Sequence, residues 1–219
     1  MRHMKLGGLV TGGYMSQGAV RGADGPSDWA RRTFGEHARA LVRTVPDRLA
    51  HAHERARASH LVARLDNHSP YGLTLAQAVL EEFAEAVTGL GGSVRVLGGR
   101  PYSILQGRAL FPFRYANKPT PLGKARLRAD VSQRKRRMLT AHSPEPDTLF
   151  PVEELTTTKE YKELHEAFEE LGQQTTLVSV FYTSDVTHGV HAIHWGEAHL
   201  EPDRTFSWLH SESLPTAGG

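Results

Sequence analysis

The sequence predicts an α+β protein in which an N-terminal helical hairpin packs on a small mixed β-sheet core with two further helices. Three observations predict this class. Helical stripes near 74–90 and 157–171 enclose three short extended runs, and the run Thr176–Tyr182 (TLVSVFY) is apolar on both faces, as a central strand is. The hydrophobic content of 39% over 219 residues is enough to bury a core without covalent staples. The expected organisation is a flexible leader over 1–25, a single domain over 26–214 and a frayed tail over 215–219. Within the domain, 26–72 reads as a helical extension and 73–214 as the sheet-containing core.

The leader carries seven glycines in 25 residues and no sustained periodicity, so ordering it costs backbone entropy. Ser27 suits the cap of a helix running to about Val45, with Trp29, Phe34, Ala38, Leu41 and Val42 near one side. Pro46 suits the first turn of a second helix reaching Leu65, and these two helices are expected to form the hairpin. A turn at 66–72 precedes the strongest helix, for which Thr74 and Gln77 form a capping box. Leu75, Val79, Phe83, Ala86, Val87 and Leu90 form its apolar stripe, Glu81 and Glu85 turn away from it, and Gly91-Gly92 ends it.

Strands are expected over 93–97, 101–105 and 109–115, the last two joined tightly through Gln106-Gly107-Arg108. Pro112 has no amide donor, which assigns its strand to an edge or a bulge. Residues 116–155 read as a long excursion, with a short helix over 132–139. Thr157 and Glu160 open another helix with the stripe Tyr161, Leu164, Phe168 and Leu171. After the central strand, 190–200 and 205–209 form a hairpin around Glu201-Pro202-Asp203.

Charge is strongly segregated along this chain. From Ala86 to Ala129 there is no Asp or Glu, yet there are eight cations. Continuing to Met138 gives 12 cations and one anion, a local +11 that leaves the remaining residues at −9 within a net charge of +2. A potential concentrated in this way steers and holds polyanions. The expected function is therefore non-catalytic nucleic-acid binding by residues 95–137, with DNA favoured over RNA. The binding residues are Arg100, Arg108, Arg114, Lys118, Lys124, Arg126, Arg128, Arg134, Lys135, Arg136 and Arg137. Arginines neutralise phosphates, and exposed aromatics such as Tyr102 and Tyr115 can stack on unpaired bases, whereas Phe111 and Phe113 read as core.

The order helix, three strands, helix, strand over 74–182 resembles the PD-(D/E)XK nuclease-like fold. That family places an Asp at the start of the second strand and a Glu (or Asp)-x-Lys on the third, to hold a hard cation and position water. Here those places read Pro101-Tyr102 and Phe113-Arg114-Tyr115, so the resemblance implies the topology with its nuclease centre absent.

Other constellations carry weaker chemistry. His191, Glu197 and His199 share one face of the expected strand, but residues two apart are too widely spaced for a shared metal unless the strand bends. Ser211 and Ser213 beside His210 and Glu212 have the types of a nucleophilic site without its geometry. No cofactor, metal or catalytic residue is expected. The alternatives are a nuclease-like or phosphate-handling enzyme using Glu81, Glu82 and Glu85, and a protein-interaction module whose basic patch meets an acidic partner or the acidic helix 159–171. A homodimer is allowed for. The absence of cysteine fits a reducing, cytoplasmic setting, and no apolar run reaches the roughly 18 residues of a membrane span.

Overall fold

The computed structural model describes residues 25–97, 100–127 and 175–216 of the chain. Helix α1 (Asp28–Phe34) opens at Ser27, whose side chain accepts from the Ala30 amide at 3.0 Å. The chain then breaks at Gly35, where φ is 55°, a left-handed conformation that glycine adopts without a Cβ penalty. After a single 3-10 turn, α2 (Ala38–Ala63) runs straight through Pro46. Pro46 therefore does not start a helix as expected. An interior proline costs a helix about 3 kcal/mol, and here the buried stripe Leu41, Val45, Leu49, Ala52 and Ala56 offsets that loss by packing.

The hairpin partners also differ from the expectation, because the two antiparallel helices are α2 and α3 (Ser69–Gly89). The Thr74–Gln77 capping box is not a cap. Helix α3 starts five residues earlier, with Pro70 in its first turn and the Ser69 amide held by Asn67 Oδ1 at 2.9 Å. Thr74 instead donates across the hairpin to Ser59 at 3.0 Å, and Gln77 donates to Glu81.

Six strands follow: β1 (Ser93–Leu97), β2 (Arg100–Leu105), β3 (Arg108–Ala116), β4 (Thr176–Asp185), β5 (Gly189–Leu200) and β6 (Phe206–Leu214). They lie in sequence order in one sheet, antiparallel throughout except for the parallel pair β3–β4. Gln106 and Gly107, with φ of 50° and 71°, make the two-residue turn of the β2–β3 hairpin. Pro112 lies on an interior strand, not an edge. Pairing of β3 with β2 stops at Leu110, however, and the β3–β4 ladder shifts register after Arg114, so the residue sits where one neighbour has already ended.

Alternation along β4 divides the core in two. Val178, Val180 and Tyr182 face the helices with Leu105, Leu110, Ile193, Trp195 and Leu214. Leu177 and Phe181 face the opposite side with Tyr102, Ile104, Phe111, Phe113 and Leu200. Trp195 lies on the helix side of the sheet, away from Trp208 and Phe206. It stacks on Phe34 at 5.3 Å, meets Trp29 edge-on at 5.6 Å, and donates from Nε1 to Glu212 at 2.6 Å.

No described helix is long and apolar enough to cross a membrane. The expected leader, the helices over 132–139 and 157–171, and Arg128 and Arg134–Arg137 lie outside the described residues.

Candidate functional site

The structure separates the cations of the basic segment into two groups. Arg108 and Arg114 are used inside the fold. Arg108 donates to the Thr176 hydroxyl across the β3–β4 pair. Arg114 donates from Nε to the Ser184 carbonyl at 3.1 Å and from Nη2 to the same oxygen, with its guanidinium 5.3 Å from the centre of the Tyr71 ring. The Arg114 contacts fasten the carboxyl ends of the two parallel strands to α3.

The second group faces solvent. Arg95 and Arg100 are exposed on the β1–β2 hairpin, while Lys118, Lys124 and Arg126 are exposed on the segment leaving β3. That segment is anchored to the sheet face away from the helices. Tyr115 donates to the Thr120 carbonyl at 2.7 Å, residues 122–124 form a 3-10 turn, and the Leu127 amide donates to the Arg204 carbonyl at 2.9 Å. Arg126 bridges to Thr205 in an isolated β pairing. The local alternation is clean. Ala125 and Leu127 are buried at 2% and 1% exposure in the second core, so Lys124 and Arg126 are turned outward. None of Lys118, Lys124 and Arg126 has an ion-pairing carboxylate within 4.0 Å among the described residues. Arg126 does act on Asp203, which hydrogen bonds from Thr205 hold below the ordinary carboxylate pKa with a smaller contribution from Arg126.

Beneath this segment lies an aromatic surface that sequence reasoning missed. Phe206 and Trp208 pair with Leu200 and Ala198 and project to the same side as Phe181. Their rings lie 4.6 and 4.9 Å from that of Phe181, and Phe113 lies 4.9 Å from it. The available signal was the alternation Phe206-x-Trp208 beside Thr205. It went unread because the side each ring faces depends on a register shift between Glu197 and Ala198.

The acidic candidates have structural partners. Glu82, 5% exposed, accepts from Arg48 at 2.9 Å and Arg55 at 3.2 Å, one bond to each oxygen. Burial disfavours its charge, but the two guanidinium bonds outweigh burial and keep its pKa below the ordinary value. Glu85 accepts from Arg48 at 3.0 Å, and Glu81 from Arg55 at 2.5 Å. Glu81 and Glu85 turn away from the buried stripe as expected, with side chains 39% and 65% exposed, and from there they also link α3 to α2.

No family model, curated protein or solved structure matches this chain. The histidines must be read from geometry alone. His191 sits at a bulge between Thr183 and Ser184 and reaches Asp185 Oδ2 at 2.9 Å, leaving Glu197 and His199 behind. His188 Nδ1 meets the same oxygen at 3.0 Å. Partial burial opposes the Asp185 charge, but bonds from the His188 and Thr187 amides and from both imidazoles hold its pKa well below the usual range. Among the described residues no three His, Cys, Asp or Glu side chains converge to hold a metal ion.

Tyr71 joins this corner to the helices. Its hydroxyl lies 3.1 Å from His53 Nδ1, 3.3 Å from Ser184 Oγ and 3.1 Å from the Asp185 carbonyl, and burial lowers the pKa of His53. Ser213 meets His194 Nδ1 at 3.2 Å across the β5–β6 ladder, not His210. No carboxylate orients His194 among the described residues, so the pair lacks the third member of a nucleophilic triad.

Proposed function

We propose that this chain binds nucleic acid through the outward cations Lys118, Lys124 and Arg126, continued in sequence by Arg128 and Arg134–Arg137, and that it carries no catalytic centre. One observation carries the reading: three cations with no ion-pairing carboxylate among the described residues stand on an extended segment whose alternate residues are locked into the core. Because Ala125 and Leu127 fix the backbone, presenting Lys124 and Arg126 to a phosphate backbone requires no further ordering of that stretch. Arg108 and Arg114 drop out of the binding set because their guanidiniums are committed to Thr176 and Ser184. The nuclease-like alternative is disfavoured by Glu81, Glu82 and Glu85, whose oxygens are engaged by Arg48 and Arg55. The positions facing the second core read Tyr102, Phe111 and Phe113, with no oxygen ligand for a hard cation.

The test is a titration of fluorescent oligonucleotides at several salt concentrations, comparing wild type with Lys118→Ala/Lys124→Ala/Arg126→Ala. Each lost phosphate contact lowers the logarithmic salt slope by about 0.9 on duplex DNA, or about 0.7 on single strands. The triple variant is expected to bind more weakly with a shallower slope. An unchanged affinity and slope would reject this surface.

A further inference from the structure

We infer that the nucleic acid taken by the Lys118–Arg126 surface is single-stranded, with a base stacked against Trp208 and Phe206 on the sheet face away from the helices. The inference rests on the nucleic-acid reading and narrows it to one substrate class. Cations and rings are joined directly in the fold. Arg126 bridges to Thr205, Phe206 follows it, and Trp208 stands two residues further along the same face of β6. Phe206, Trp208 and Tyr115 are only partly buried, each packing on Phe181 from outside the fully enclosed part of the second core.

A nucleobase presents a flat stacking face, which matches the partly buried rings of Phe206 and Trp208 standing beside the outward cations. A duplex offers its phosphates but keeps its base faces stacked on one another, so it can use the cations alone.

Tryptophan fluorescence gives the test. Trp195 is 0% and Trp29 9% exposed on the helix side, so quenching by an unlabelled oligothymidylate reports Trp208. Expected are tighter binding of oligothymidylate than of a mixed-sequence duplex, and quenching that disappears in Trp208→Phe while binding persists. Trp208→Ala is expected to weaken single-strand binding by roughly 5- to 150-fold without changing the salt slope, the range that loss of one stacked base implies. Phe206→Leu serves as a second variant should Trp208→Ala melt below the assay temperature, and a several-fold loss is expected of it too. Equal affinity for duplex and single strand with no quenching would overturn the inference and leave the cationic surface standing. Binding of neither would overturn both readings.

Discussion

At the residue scale, Tyr71 and Glu82 show how polar groups from different elements hold this fold together. The Tyr71 hydroxyl meets groups from α2 and β4, and Ser184 beside it is 0% exposed. Tyr71→Phe keeps the ring and removes only the oxygen, leaving those groups short of a partner, so it should destabilise by about 1–3 kcal/mol. Urea denaturation measures this, and a change below roughly half a kcal/mol would mean that water replaces the hydroxyl without loss. Glu82 makes a prediction with a pH signature. Its folded pKa lies below the reference value of 4.5, so its contribution is complete above that value and is lost as pH falls through the folded pKa. Glu82→Gln should therefore be less stable than wild type at pH 7, by roughly 1–3 kcal/mol given that Arg48 and Arg55 are partly exposed. The deficit should shrink as pH drops below 4.5. A deficit constant from pH 7 to 3 would show that the charge of Glu82 is not what Arg48 and Arg55 recognise.

At the element scale, the β5–β6 ladder carries both the Trp195–Glu212 bond and the proposed stacking rings, and its register depends on Gly196. That residue has φ of 157°, and a Cβ placed on it would lie 2.0 Å from the His210 carbonyl oxygen, a backbone atom that cannot swing aside. Gly196→Ala should push the two strands apart, at a cost above about 2 kcal/mol. Hydrogen exchange across 206–214 should accelerate more than exchange in α2. If the β6 amides remain as protected as in wild type, the contact at His210 relaxes without separating the strands. The turns and most strand positions were legible in the sequence, but β6 was expected over 205–209 and runs over Phe206–Leu214, because its second half is held by pairing with β5. The Gln106-Gly107 turn, the β5–β6 hairpin and the doubly buried β4 follow from residue types alone, because alternation and turn chemistry act locally. The helix starts were not. Thr74 and Gln77 have the spacing of a capping box, yet five residues of extra helix gain contact with α2, and that tertiary gain overrides a local cap.

At the scale of the whole molecule, stability is distributed unevenly over a sheet packed on both faces at its centre and thin at its first edge. β4 has neighbours on both sides and buries eight successive residues, whereas β1 is a five-residue edge strand with Val96 exposed at 68%. Amides of β4 should exchange only through global unfolding, and those of β1 through local opening at far lower free energy. Equal protection in the two strands would mean that the sheet opens as one unit. The sequence by itself determined the α+β class, the meander of the first three strands, the central place of β4 and the extreme charge segregation. These follow from periodicity, turn residues and composition, which are properties of neighbouring positions in the chain. Only the tertiary structure decided which cations remain available. Arg114 and Lys118 stand four residues apart in an acid-free run, yet one is bonded to a carbonyl of β4 and the other faces solvent. The physical reason is that a guanidinium finds its acceptor through space. The Ser184 carbonyl that holds Arg114 lies 70 residues along the chain, brought near only when β3 and β4 pair in parallel.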